Sequence, residues 1–152
     1  MTVERMAGIY FKALDAELDG MDFLCQFSYE EMVKEYNGIG PASMSEKDRK
    51  RLTKWLNLFE PVCLIHDMRF AVSDGTRESF DRANKELLAN GLKISNHTYS
   101  WYNWKRYRAR FVARVMYAAV CASGWDAWQK CHNELGAKIL QIQGVRDAND
   151  VV

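Results

Sequence analysis

Proline and strand-like patterning are both scarce in this sequence. Only Pro41 and Pro61 occur among 152 residues, and proline is the residue that interrupts a helix most strongly. No segment alternates apolar and polar residues clearly enough to predict a strand. These absences predict an all-α fold. We expect one helical domain over residues 1–145, followed by a loose C-terminal tail over residues 146–152.

Long apolar runs are missing as well. Glu4, Asp15 and Glu17 interrupt the apolar positions of the N-terminal segment, and this pattern is not that of a signal peptide. No uncharged run approaches the ~20 residues of a transmembrane helix. The sequence therefore predicts a cytoplasmic protein.

Closely spaced metal ligands are also absent. The cysteines form no C-x-x-C pair and the histidines are scattered: Cys25, Cys63, Cys121, Cys131, His66, His97 and His132. A zinc site needs closer ligand spacing. Without a secretion signal, the cysteines are expected to be free thiols. A formal net charge of +1 gives no whole-chain attraction to nucleic acid.

Apolar residues at helical spacing, together with capping residues, divide the chain into predicted helices. Ser28 and Glu31 form a capping-box pattern, Ser45 and Thr76 are further N-caps, and Pro61 suits the first turn of a central apolar helix. The predicted helices cover residues 3–18, 28–36, 45–59, 60–71, 76–91 and 96–123, with one more after Gly124 that extends to Ile142. The helix over residues 96–123 is expected to be the longest, because it contains neither glycine nor proline.

Three ionisable side chains lie on the two helices that flank a short turn at Ser73-Asp74-Gly75. His66 and Asp67 are adjacent on the first helix, and Asp81 lies on the second. Two helices joined so tightly are expected to be antiparallel, which would let Asp81 face His66. A neutral imidazole held by a carboxylate can take a proton from water. These residues therefore predict a hydrolytic site, with Asp67 placed to bind a cation beside the same water.

The same residues also have simpler interpretations. His66 can be a core histidine hydrogen-bonded to Asp81, and Asp81 can instead pair with Arg77 on its own helix. The segment Gly38-Ile39-Gly40-Pro41 can be an ordinary loop. Alternatively, the backbone carbonyls of Gly38 and Gly40 can converge on Ca²⁺, because glycine removes the side-chain clash and Ca²⁺ prefers oxygen ligands.

Two segments resemble the phospholipase A2 superfamily. The run CLIHDMRF at residues 63–70 is similar to its C-x-x-H-D-x-x-Y signature, and FDRA at residues 80–83 is similar to its C-D-R-A segment. The resemblance is closest to short phospholipase-A2-like proteins of phages and prophages, in which H-D-x-x-Y is followed by a serine-arginine helix start and an A-D pair. MYAAV at residues 116–120 and GWDAW at residues 124–128 are similar to downstream segments of those proteins.

The resemblance implies a role for each of these residues. His66 would be the general base, Asp67 the calcium ligand and Asp81 the partner that orients the histidine. Gly38 and Gly40 would stand in for the calcium loop, so Ca²⁺ is the implied cofactor. A location in the virion or in the cytoplasm of a host cell would follow from the phage relationship. Three features depart from the family: Phe70 replaces the tyrosine, the disulfide lattice is missing and the glycine loop is short.

A stretch from Tyr99 to Arg114 interleaves aromatic and basic residues. Its candidate interface residues are Trp101, Trp104, Lys105, Arg106, Arg108 and Arg110. Much of the aromatic content has the spacing of a core face, and a second apolar set follows at Val112, Val115, Met116, Ala119 and Val120. The stretch can therefore be core, a membrane interface or a contact for nucleic acid.

Three functions are compatible with this pattern. The first is a calcium-dependent lipid esterase that uses residues 99–114 as its membrane interface. The second is a non-catalytic member of the same scaffold, a phage or prophage accessory protein that binds another protein. The third is a nucleic-acid-binding protein that uses residues 99–114 for phosphate contacts and base stacking. The near-neutral total charge makes nucleic acid the least favoured partner.

Overall fold

The computed structural model describes residues 1–36, 38–39 and 45–133, and every regular element within these ranges is helical. The helices are α1 (Val3–Asp15), α2 (Met21–Leu24), α3 (Tyr29–Glu35), α4 (Glu46–Trp55), α5 (Glu60–Ala71), α6 (Arg77–Thr98) and α7 (Trp104–Ser123), with a 3-10 turn at Asn57–Phe59. Residues 125–133 are also helical. The predicted all-α class is confirmed. The predicted tail and the extension to Ile142 lie outside the described residues.

Helix α5 is central, as expected from its apolar composition. Helices α1, α3 and α6 all pack against it, and Val62, Leu64, Ile65 and Met68 are each at most 1% exposed. Pro61 lies in its first turn, where an N–H group would have no helical partner. The burial of these four side chains removes most of α5 from water, so α5 anchors whatever site forms along it.

The predicted N-caps are confirmed, and they explain where three helices begin. Ser28 accepts a hydrogen bond from the Glu31 N–H at 3.2 Å, and the Glu31 carboxylate accepts one from the Ser28 N–H at 2.8 Å. Ser45 and Thr76 accept hydrogen bonds from backbone N–H groups of the first turns of α4 and α6. Each cap satisfies a backbone donor that has no partner within its helix.

The expected end of α6 at Asn90-Gly91 is wrong, because α6 continues to Thr98. Asn90 is fully buried, and its side chain bonds the backbone of Asp19: its Oδ1 accepts from the Asp19 N–H at 2.7 Å and its Nδ2 donates to the Asp19 carbonyl at 2.9 Å. Gly91 lies where α7 approaches, since a Cβ atom there would be 2.8 Å from the Ala113 Cβ. Both residues therefore make contacts with other segments of the fold, and neither of them ends the helix.

The single helix expected over residues 96–123 is also wrong. The chain leaves helical geometry between Tyr99 and Asn103 and starts again as α7. Asn103 is the N-cap of α7, and its side chain accepts a hydrogen bond from the Lys105 N–H at 3.0 Å. An asparagine side chain can bond its own local backbone and so compete with a continuous helix. At 22 residues α6 is the longest described helix, and α7 has 20.

Helix α7 packs on α6 through its small residues. Ala109 and Ala113 are its buried positions, and Val112, Met116 and Val120 pack partly buried beside them. Val115 and Ala119, which were expected in the core face, are exposed. Their exposure follows from helical geometry, because the inward face is centred on Ala109 and Ala113. The predicted core face of α7 is thus correct in part only.

No helix among the described residues is long and apolar enough to cross a membrane. Cys25, Cys63 and Cys121 are free thiols, as expected. Burial raises the pKa of the Cys63 thiol, with the nearby Asp67 and Glu60 charges adding to the effect. Cys63 therefore lies in the core as a neutral thiol.

The close contact of α6 and α7 predicts an unusual response to adding one methyl group. Replacement of glycine by alanine inside a helix ordinarily stabilises by about 0.5–1 kcal/mol. We expect Gly91→Ala instead to lower the free energy of unfolding by about 1–3 kcal/mol, because its Cβ would overlap Ala113. Denaturant unfolding measures the change.

The control is Gly8→Ala in α1, where nothing lies within 4 Å of the added Cβ. That variant is expected to be stabilised by about 0.5–1 kcal/mol. Combining Gly91→Ala with Ala113→Gly is expected to recover the loss attributable to the overlap. A stabilised Gly91→Ala single variant would show that α6 and α7 do not meet this closely.

Candidate functional site

The candidate site lies between α5 and α6, which the contacts show to be antiparallel. Phe70 near the end of α5 meets Phe80 near the start of α6, with ring centroids 6.2 Å apart. One turn earlier on α5, His66 meets Asn84, which is one turn later on α6. The side chain of Arg69 also bridges to Glu86 through two hydrogen bonds of 2.9 Å. These contacts hold His66 in a fixed position between the two helices.

His66 is bonded to Asn84, and this pair was not anticipated from the sequence. The His66 Nε2 lies 2.9 Å from the Asn84 Oδ1, with His66 only 7% exposed and Asn84 fully buried. When the imidazole is neutral and Nε2 donates, Nδ1 is the nitrogen left to accept a proton. Burial lowers the pKa of His66, and the Asn84 hydrogen bond and the Glu86 charge oppose this lowering only in part. His66 is thus a neutral, buried histidine.

Asp81 does not hold His66, so the predicted His66–Asp81 dyad must be corrected. Its carboxylate instead forms an ion pair with Arg77, one turn earlier on the same helix, with Arg77 Nε 3.2 Å from Asp81 Oδ1, and the Asp81 side chain is 46% exposed. Asn84 lies three positions after Asp81, and this step leaves the two side chains about 60° apart around the helix. Asn84 faces α5, whereas Asp81 faces solvent beside Arg77. The alternative Arg77–Asp81 pair is the interpretation that the structure matches.

Phe70 belongs to an aromatic cluster rather than to a polar network. Its ring lies 4.7 Å from the His66 ring and 4.8 Å from the Trp128 ring, and Trp128 also contacts Phe80. Residues 125–133 reach this cluster because His132 Nδ1 lies 3.1 Å from the Ser73 carbonyl and Gln129 bonds the Gly75 carbonyl. The cluster covers one side of His66 with apolar surface, which accounts for its burial.

The structure describes two of the three residues predicted to bind metal, Asp67 and Gly38. Asp67 is half-buried on α5. Gly38 has φ +86° and lies against Thr53 of α4, where the Ile39 N–H donates to the Thr53 Oγ1 at 3.0 Å. Gly40 lies outside the described residues. Among the residues that the structure does describe, no three His, Cys, Asp or Glu side chains form a group able to hold a metal ion.

A second candidate site lies on the outer side of α7 and on the turn that precedes it. Five aromatic side chains are 60–74% exposed there: Trp101, Tyr102, Trp104, Tyr107 and Phe111. Spacings of three and four residues place Trp104, Tyr107, Phe111 and the half-exposed Val115 along one stripe of the helix. The Tyr107 hydroxyl donates to the Trp101 carbonyl at 3.1 Å, and this bond joins the turn to the stripe. The expected core spacing of these aromatic residues was misleading.

Basic residues border this stripe on both sides. At 100° per residue, Lys105 and Arg108 lie on one flank and Arg110 and Arg114 on the other. We call the ten residues together the aromatic–basic face: Trp101, Tyr102, Trp104, Tyr107, Phe111, Val115, Lys105, Arg108, Arg110 and Arg114. Arg106, a predicted interface residue, is not part of it, because its Nε donates to the Asn96 Oδ1 of α6 at 2.8 Å.

Acidic residues are absent from the sequence segment that contains the aromatic–basic face. From residue 87 to residue 125 the sequence has six basic residues and no Asp or Glu, whereas the rest of the chain has fifteen basic and twenty acidic residues. None of the ion pairs formed within the described ranges includes Lys105, Arg110 or Arg114. The formal net charge of +1 is therefore the sum of +6 on this segment and −5 on the rest of the chain.

No family model, curated protein or solved structure matches this chain. The candidate sites are therefore interpreted from their own geometry.

The buried His66 predicts a pH-dependent stability. Its pKa is lowered in the folded chain, below the 6.5 of an ordinary histidine, so the unfolded chain binds the proton more readily and stability decreases as pH falls below that value. We expect the free energy of unfolding to decrease between about pH 7.5 and about pH 5.5, where most carboxylates remain ionised. Chemical unfolding at several pH values measures this slope.

The matched variants are His66→Gln and His97→Gln. The first is expected to flatten the slope in this range, even if it lowers stability at every pH. His97 lies at the surface beside Asp15, so its replacement is expected to leave most of the slope. An unchanged slope in His66→Gln would mean that His66 is not buried in its neutral form.

Proposed function

We propose that this protein is a non-catalytic binding protein that associates with an anionic lipid surface through the aromatic–basic face, on a scaffold resembling that of phage and prophage phospholipase-A2-like proteins. The observation that supports it most is the exposure of five neighbouring aromatic side chains at 60–74%. Aromatic residues bury large apolar areas when they leave water. A contiguous exposed apolar patch rimmed by polar residues is typical of an interaction surface.

The partner of His66 supports a non-catalytic role. The hydrogen bond to His66 is made by Asn84, whereas Asp81, to which the resemblance gives the orienting role, pairs with Arg77. A neutral amide can orient an imidazole, but it has no charge to stabilise the imidazolium that forms when His66 accepts a proton. Burial against Phe70 disfavours the same charged form. Together these features weaken His66 as a general base.

The arrangement of the face favours a lipid surface over nucleic acid. The stripe is apolar along its length, from Trp104 to Val115, and has basic residues on both flanks. Such a helix can lie in the membrane interface with its apolar side chains among the acyl chains and its basic side chains reaching up to phosphates.

The first prediction concerns binding to vesicles. We expect the protein to cosediment with vesicles that contain phosphatidylglycerol, and to bind phosphatidylcholine vesicles at least tenfold more weakly, since each basic residue near an anionic surface contributes about 1 kcal/mol. The triple variant Trp101→Ala/Tyr102→Ala/Phe111→Ala is expected to weaken partitioning by about 100-fold, at about 1 kcal/mol for each partly inserted ring.

The control removes exposed apolar groups elsewhere. Phe11 and Leu14 on α1 are 58% and 50% exposed, and Phe11→Ala/Leu14→Ala is expected to leave partitioning unchanged. If the aromatic variant binds vesicles as the wild type does, the proposed lipid contact is wrong. Binding of a single-stranded oligonucleotide that depends on the same three residues, without vesicle binding, would replace lipid with nucleic acid as the partner.

The second prediction concerns hydrolysis. In mixed micelles of anionic phospholipid with Ca²⁺, we expect the wild type to release no more fatty acid than the His66→Ala variant does. The reason is the amide partner of His66 together with the solvent position of Asp81. Release that depends on Ca²⁺, stops with chelator and is lost in His66→Ala would instead support the calcium-dependent esterase, with Ca²⁺ held by Asp67 and the glycine loop.

A further inference from the structure

A cleft opens beside the aromatic–basic face, between the 3-10 turn and the first turns of α7. Its volume is about 290 Å³. The apolar part of the lining consists of Leu58 and Phe59 from the turn and Val112 from α7. Tyr99 and Trp104 line the cleft as well. Phe59 is only 3% exposed, so the floor is continuous with the protein core.

Two cations complete the lining. Lys105 and Arg108 both border the cleft, and the Arg108 guanidinium lies 5.9 Å from the centre of the Trp104 ring. Lys105 forms no ion pair with any described residue, and no acidic residue occurs between residues 87 and 125. The cleft is therefore apolar at its floor and positively charged at one edge.

From this lining we infer that the cleft binds one single-chain anionic amphiphile, with its phosphate or carboxylate between Lys105 and Arg108 and the start of its alkyl chain over Leu58, Phe59 and Val112. The size agrees with this ligand. At about 290 Å³ the cleft offers many times the space that one water needs, and it lies near the lower end of the ~300–1,000 Å³ typical of small-ligand sites. That size suits a head group with the first carbons of one chain.

The inference rests on the proposed function and deepens it. Basic residues that only contacted the surface of a membrane would not need to border a cleft. Here one flank of the stripe, Lys105 and Arg108, borders a cleft with an apolar floor, whereas the other flank, Arg110 and Arg114, does not line it. The first flank is thus a specific site for a single head group, and the second makes a general contact with the surface.

Octyl phosphate, kept below the concentration at which it forms micelles, tests the cleft directly. We expect it to bind the full-length protein at one site in calorimetry, and to shift the methyl resonances of Leu58 and Val112 in NMR spectra while leaving those of the central helix residues Leu64 and Ile65 unchanged. Inorganic phosphate alone and octanol alone are each expected to bind at least tenfold more weakly, because each lacks one half of the ligand. Equal binding of inorganic phosphate would overturn the inference, since the alkyl chain would then contribute nothing to binding.

Matched charge reversals distinguish the cleft from the surrounding surface. Lys105→Glu/Arg108→Glu is expected to weaken octyl phosphate binding at least tenfold, whereas Arg110→Glu/Arg114→Glu is expected to leave it unchanged. An equal loss in both variants would overturn the inference, because attraction would then be nonspecific. Chemical-shift changes confined to methyl groups other than those of Leu58 and Val112 would also overturn the inference, and this measurement needs no variant.

The two proposals fail in different ways. Vesicle binding that depends on Trp101 and Phe111, combined with no octyl phosphate binding, would overturn the cleft and leave the lipid surface. Octyl phosphate binding without vesicle binding would leave the cleft as a site for a soluble amphiphile and overturn the lipid surface. Neither Trp101 nor Phe111 lines the cleft, so the two measurements are independent.

Discussion

The close approach of α6 and α7 at Gly91 and Ala113 is the constraint on which the rest of the structure depends. No Cβ can be placed at Gly91 without coming within 2.8 Å of the Ala113 Cβ, so only the face of α7 that has small residues can pack inward. Helix α7 has two apolar stripes, and its bulky stripe of Trp104, Tyr107 and Phe111 is thereby turned to solvent. The aromatic–basic face is a consequence of this contact: the inner stripe stabilises the fold, and the outer stripe is left available for a partner.

This competition between two stripes explains where sequence reasoning succeeded and where it failed. The N-caps Ser28, Ser45 and Thr76, the proline at the start of α5 and the buried α5 itself were predictable, because each depends on local geometry or on a helix that is apolar nearly all round. The end of α6 was not, because Asn90 and Gly91 resemble a stop signal until Asp19 and Ala113 are known to lie beside them. Likewise, the spacing of Trp104, Tyr107 and Phe111 is that of a core stripe, and only the neighbouring helix decides which stripe is buried. Small residues on both helices were the available signal.

The candidate hydrolytic site shows the same limit on a smaller scale. The sequence identified the correct pair of helices and the correct histidine, but it assigned the partner to Asp81. Asp81 and Asn84 lie less than one turn apart on α6, and the packing angle of α5 decides which of them meets His66. Since Asp81 is charged and Asn84 is not, the way the two helices pack also decides whether a charge lies beside His66. It places His66 beside a neutral amide in an apolar setting, where the imidazole is stable without its proton and the imidazolium is not. Arg69 and Glu86, which bridge the same helices, supply the ion pair that stabilises this arrangement.

Charge is distributed along the chain in a way that agrees with these roles. The ion pairs Arg5–Glu60, Arg69–Glu86 and Lys93–Asp19 connect separate segments of the fold, whereas Lys105, Arg110 and Arg114 make no ion pair with described residues. Exposed ion pairs contribute little to stability. The fold would therefore be about as stable with acidic residues beside these basic residues, or with neutral residues in their place. Their concentration on one acid-free segment, around aromatic rings that packing has turned outward, is therefore not required by the helical core. This concentration is the basis of the proposed contact with an anionic surface, and the cleft at Lys105 and Arg108 is the position proposed for a single head group.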